Sequence, residues 1–120
     1  MPVPANAKNE KQRGFNQSEL IASRVFEKCA ENVKRIQYYT DVLHRDKKGM
    51  QMKGQSSEER RMNIKGQILL SETKAHLVSG KVVLLIDDVY TTGATADECA
   101  KVLKSAGATK VCFAGFVIGN

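Results

Sequence analysis

Five consecutive apolar residues, Val82 to Ile86, run straight into two aspartates and then into Thr91-Thr92-Gly93-Ala94-Thr95. No other segment restricts the fold as much. An unbroken apolar run bounded by polar residues is the pattern of a strand buried on both faces of a parallel sheet, here Lys81 to Ile86. From Thr95 to Ala106 the apolar positions take helical spacing, at Ala96, Cys99, Ala100, Val102 and Leu103, and Gly107 stands where such a helix would end. Lys110 to Ile118 (KVCFAGFVI) then reads as a second buried strand. Strand, helix and strand in that order form a βαβ unit with a right-handed crossover.

The remainder is less regular. Met1 to Gly14 holds both prolines among Asn, Lys and Gly, without periodicity, and reads as a loop. Leu20, Ile21, Val25, Phe26 and Cys29 recur at helical spacing behind Asn16, an N-cap with Glu19 three residues on, which predicts an amphipathic helix from Asn16 to about Asn32. Val33 to Leu43 is rich in β-branched and aromatic residues and admits a strand, and Arg45 to Ser57 has the composition of a basic flexible loop. Ser57 with Glu58 to Met62 suits a helical turn, and Ile68 to Leu70 a short strand. With 120 residues there is room for one domain, 1–120, of α/β class with three layers and a mainly parallel sheet.

Several function classes drop out. The longest relevant apolar run is far short of the roughly 18 residues of a membrane-spanning helix, and the first residues lack a signal-peptide block, so membrane insertion is not expected and a cytoplasmic location is. Cys29, Cys99 and Cys112 show no C-x-x-C spacing, and His44 and His76 stand apart from other ligand types, so neither a disulfide framework nor a metal bound directly by the protein is indicated. Residues 1–65 carry 14 Lys and Arg against 8 Asp and Glu, whereas residues 66–120 carry 5 against 5. All of the formal +6 therefore lies in the first half, which favours a polyanionic partner: a diphosphate, a nucleotide or nucleic acid.

The chemistry concentrates after the central strand. At the carboxyl end of a parallel strand, where open α/β folds bind ligands, Gly93 allows an unusual backbone angle. The threonines at 91, 92 and 95 supply hydroxyl donors, and the free N–H groups of a helix start favour an anion. Asp87 and Asp88 would repel that phosphate, yet carboxylates accept hydrogen bonds from sugar hydroxyls and attract Mg²⁺ through water. Acid pair and loop together suit one ribose 5-phosphate. An isolated pair of acids or a lone Thr-Thr-Gly would be explained by a turn and an N-cap; the whole stretch from Val82 to Thr95 would not.

That stretch, VVLLIDDVYTTGAT, closely resembles the phosphoribosyl diphosphate signature of type I phosphoribosyltransferases, with Tyr90 in place of the usual aliphatic residue. Arg13-Gly14-Phe15-Asn16-Gln17 with Leu20-Ile21-Ala22, and Glu59-Arg60 with Asn63-Ile64, narrow the resemblance to the ComF family, phosphoribosyltransferase-like proteins linked to competence and DNA uptake. The resemblance implies a type I phosphoribosyltransferase fold with little or no hood, binding of phosphoribosyl diphosphate with Mg²⁺, and transfer of the phosphoribosyl group to an acceptor with release of diphosphate. It assigns Asp87 and Asp88 to the ribose hydroxyls and Thr91, Thr92, Gly93, Ala94 and Thr95 to the 5-phosphate. Ala5, Asn6, Ala7 and Lys8 correspond to the diphosphate loop, joined by Arg13, and Arg45, Lys47 and Lys48 to a lid. ComF relatives commonly carry an N-terminal zinc ribbon that this chain lacks, which marks it as a short or truncated member. Two other roles stay open: a sensor of phosphoribosyl diphosphate, and a non-catalytic accessory of the DNA-uptake machinery that binds single-stranded DNA. Self-association as a homodimer is open as well.

Overall fold

A computed structural model describes residues 1–5, 16–46, 65–90 and 92–118. Its elements run α1 (Gln17–Ala30), β1 (Leu43–Arg45), β2 (Ile68–Leu70), a short 3₁₀ turn (Ala75–Leu77), β3 (Val82–Tyr90), α2 (Ala94–Ser105) and β4 (Lys110–Ile118). β3 and β4 pair in parallel from Val82 opposite Lys110 to Tyr90 opposite Ile118, with α2 as the crossover. On the other edge of β3, Pro2 bridges Ile86 in the same parallel sense. β1 and β2 form a separate antiparallel pair. The architecture is the expected α/β one.

Local chemistry explains the boundaries. Asn16, in extended conformation, accepts the N–H groups of Ser18 and Glu19, so α1 begins one residue after its cap. α2 stops where Gly107 turns left-handed at φ +98°, its N–H returning to Lys104 O. A Cβ at Gly107 would also lie 3.0 Å from Ser79 Oγ.

One core joins these elements. Val83 and Leu85 of β3 pack with Cys99 and Leu103 of α2, Val42 and Leu43, Ile68 of β2 and Val78. Here the structure corrects the reading of β3 as buried on both faces: Leu85 is wholly buried, whereas Val82 is 67% exposed and Leu84 43%. An all-apolar run looks identical whether one face or two are covered. α1 lies against β3; Ala22 of the helix and Ile86 of the strand are buried, while Val82 stays open. β4 departs from its expected burial in the same way, with Phe116 57% exposed. From Val33 to Leu43 only Leu43 joins a strand, and β1 continues through Arg45, so the predicted basic loop starts inside a strand. The proposed helical turn at 57–62 and most of that loop lie outside the described residues.

Candidate functional site

The carboxyl end of β3 extends past the apolar run, so Asp87 and Asp88 are strand residues a few positions ahead of α2 in the chain. Asp87 is half-buried. Its Oδ1 accepts the Ser18 hydroxyl at 2.6 Å and the Asp88 N–H at 2.9 Å. Burial raises its pKa from 3.8 to about 6, against the opposing pull of the Ser18 hydrogen bond.

After the strand, Gly93 takes φ +80°, the left-handed conformation expected of it, and its carbonyl accepts the Asp97 N–H at 2.8 Å to open α2. No side chain caps the helix from Gly93, and Thr92 Oγ1 instead accepts the Ala94 N–H at 3.2 Å. Gly93 and Ala94 are buried while Thr92 and Thr95 are part-exposed, which presents hydroxyls over a backbone turn. Asp87 and Asp88 thus lie in β3, Thr92 and Gly93 in the turn that follows, and Ala94 and Thr95 at the start of α2.

The other candidates fare differently. Ala5 lies two residues beyond Val3, whose N–H donates to Ile86 O at 2.8 Å. Arg45, expected in a lid, sits instead on β1 opposite Ile68, half-buried, with its charge felt by Asp87 and Cys99. Burial lowers its pKa, and its neighbours Cys99 and Asp87 act the other way. Asn6, Ala7, Lys8, Arg13, Lys47, Lys48 and Thr91 lie outside the described residues. Cys99, wholly buried, has its thiol pushed up to about 12 by burial and then by Asp87, so it stays protonated and unreactive. Among the described residues no three His, Cys, Asp or Glu side chains gather to hold a metal.

Sequence reasoning passed over Ser18. It is a small polar residue in the first helical turn behind an Asn cap, a context that does not point to a partner 69 residues away. A cavity of about 580 Å³ lies elsewhere, between α1 and the amino half of β3, lined by Ala22, Val25, Phe26, Val82 and Leu84, and it contains neither aspartate.

The phosphoribosyl transferase domain family matches residues 12–119, which include α1, the acid pair and the loop. The chain belongs to that family. Within it, this phosphoribosyl transferase domain falls in the ComF group. It is 29% identical over 111 residues to Competence protein F of Haemophilus influenzae, covering 92% of this chain and 46% of the relative. Over 110 residues it is 34% identical to Competence protein ComFC of Streptococcus pneumoniae, covering 91% and 43%. DNA utilization protein YhgH of Escherichia coli O157:H7 is 29% identical over 109 residues, covering 91% and 44%. The domain thus spans less than half the length of these relatives. No solved structure matches it. No helix among the described residues is long and apolar enough to cross a membrane.

Proposed function

We propose that this domain binds phosphoribosyl diphosphate with Mg²⁺ and transfers the phosphoribosyl group to an acceptor, releasing diphosphate. The observation that carries the reading is the junction of β3 and α2, where two carboxylates stand directly before a left-handed glycine turn at a helix start. A helix start with part-exposed threonines offers donors to the 5-phosphate, and Asp87 and Asp88 offer acceptors to the ribose hydroxyls. Held at both ends, the sugar presents C1, where a nitrogen nucleophile forms the new bond as the bond to diphosphate breaks. Cationic groups from the first half of the chain neutralise the departing diphosphate.

Mg²⁺ fits as an ion carried in on the diphosphate. The described residues gather no cage for it, while the two carboxylates suit its retained water shell, and when bound it offsets diphosphate charge.

The names of the relatives favour a second reading, an accessory role in DNA uptake. Exposed Lys28, Lys34 and Arg35 near the end of α1 would supply phosphate contacts. Its aromatic component is weak: Tyr38 stacks on Phe26 with ring centroids 5.5 Å apart and its hydroxyl donates to Glu19 O, so that ring serves packing.

Calorimetric titration with Mg²⁺ and phosphoribosyl diphosphate tests the first reading. Saturable binding is expected, and none at millimolar ligand would rule it out. Diphosphate release with a panel of amines and bases then separates transferase from sensor. For the accessory role, single-strand affinity should weaken as salt rises.

A further inference from the structure

A circuit of hydrogen bonds joins the amino-terminal segment, the start of α1 and the carboxyl end of β3. Val3 N–H donates to Ile86 O at 2.8 Å, and Asn16 Nδ2 donates to Val3 O at 3.4 Å. The Ser18 N–H donates to Asn16 Oδ1 at 2.9 Å, and the Ser18 hydroxyl donates to Asp87 Oδ1 at 2.6 Å. Asp87 follows Ile86 in the chain, which closes the circuit. One further bond leaves it: the Asp88 N–H donates to the same Asp87 oxygen at 2.9 Å.

We infer that Ser18 is a positioning residue of the acid pair: its hydroxyl fixes the Asp87 carboxylate, and through it the backbone of Asp88, in the arrangement that receives the ribose hydroxyls. The inference rests on the ribose 5-phosphate reading above. A serine in a first helical turn ordinarily earns its place by capping, yet here Asn16 is the cap and takes the Ser18 N–H itself. The Ser18 hydroxyl is thus spare for the helix and is spent across 69 residues of sequence on Asp87. Ser18 is 4% exposed, so water does not replace it, and the short distance is that of a hydroxyl on a carboxylate. Arg45 from β1 and Cys99 from α2 are electrostatic neighbours of Asp87. Ser18 supplies a directed side-chain donor to it.

Two probes separate positioning from mere folding support: ribose 5-phosphate, which uses acid pair and loop, and inorganic phosphate, which uses the loop alone. Ser18→Ala should weaken ribose 5-phosphate about tenfold, the usual worth of a hydrogen bond to a charged group. Inorganic phosphate should bind as before, and Ser18→Thr should restore the sugar phosphate. Equal loss of both probes, or loss of neither, overturns the inference alone. If the unsubstituted protein holds ribose 5-phosphate no more tightly than phosphate, the acid-pair reading itself fails and the inference with it. Should Ser18→Ala unfold by circular dichroism, Ser18→Cys, with its weaker donor, is judged on the same two probes and the same outcomes.

Discussion

The two ends of β3 are held in different ways. At the carboxyl end, Asp87 is fixed by Ser18 and by the next backbone N–H, and Ile86 is bridged from Pro2 and Val3. At the amino end the strand alternates: Val83 is buried in the core, while Val82 and Leu84 border an open cavity under α1. The carboxyl end is specified by a directed side-chain contact, and the amino half by apolar area on a single face with the Met1 ammonium donating to Leu84 O at 2.7 Å. The stability of the strand should therefore come mainly from its core face, and its ligand chemistry from residues that add little to stability.

The largest effect tests the division of faces. Leu85→Ala, at a wholly buried position, should destabilise the domain by about 2–5 kcal/mol in denaturant unfolding. Leu84→Ala next to it, 43% exposed, should cost less than about 1 kcal/mol. Equal costs would mean that the outer face is covered as well.

Next comes the division of labour. Asp88→Asn removes a charged acceptor, and hydrogen bonds to charged groups are worth about 1.5–3 kcal/mol, so ribose 5-phosphate should bind roughly 10- to 150-fold more weakly. The unfolding midpoint should barely move, and Val82→Thr at the other end should leave affinity untouched. Unchanged affinity in Asp88→Asn would reduce the acid pair to a turn.

Gly93→Ala sharpens the comparison at the loop. At φ +80° a Cβ costs about 1–2 kcal/mol, read as a lowered midpoint, and phosphate affinity should fall with it. Loss of stability without loss of phosphate affinity would separate the turn from the anion site.

The same contrast governs what could be read in advance. The β3–α2–β4 unit was legible because the apolar run, the helical spacing and Gly107 agree, and β4 occupies the segment expected of it. The acid pair and Gly93 were legible because their chemistry lies within one short stretch. Ser18 was not, because its partner is 69 residues away and nothing local marks a hydroxyl spent at such distance. Arg45 was assigned to a lid because the polar run that follows it masks the strand; its pairing with Ile68 depends on a segment far along the chain. The open outer face of β3 was hidden for the opposite reason, since Val82 and Leu84 are as apolar as their buried neighbours.

The smallest effect reads the carboxyl end through pH. Burial raises the Asp87 pKa from 3.8 to about 6, so the folded chain holds that proton more tightly than the unfolded chain does. Across the window from 3.8 to about 6 the unfolded state binds fewer protons, and stability must fall as pH rises. The contribution is complete below the lower value and gone above the upper one. Because Asp87 is only half-buried, solvent trims it to about 1 kcal/mol. Urea midpoints should therefore decline through this window, and Asp87→Asn should flatten the decline; Leu84→Ala should leave it intact, because the Met1 ammonium bonds the Leu84 backbone carbonyl, which that substitution keeps. The Ser18 hydrogen bond pulls the other way by favouring the charged carboxylate, and Asp87 in turn favours the charged form of Arg45. If stability rises with pH instead, the Ser18 hydrogen bond and the Arg45 charge together outweigh burial at Asp87.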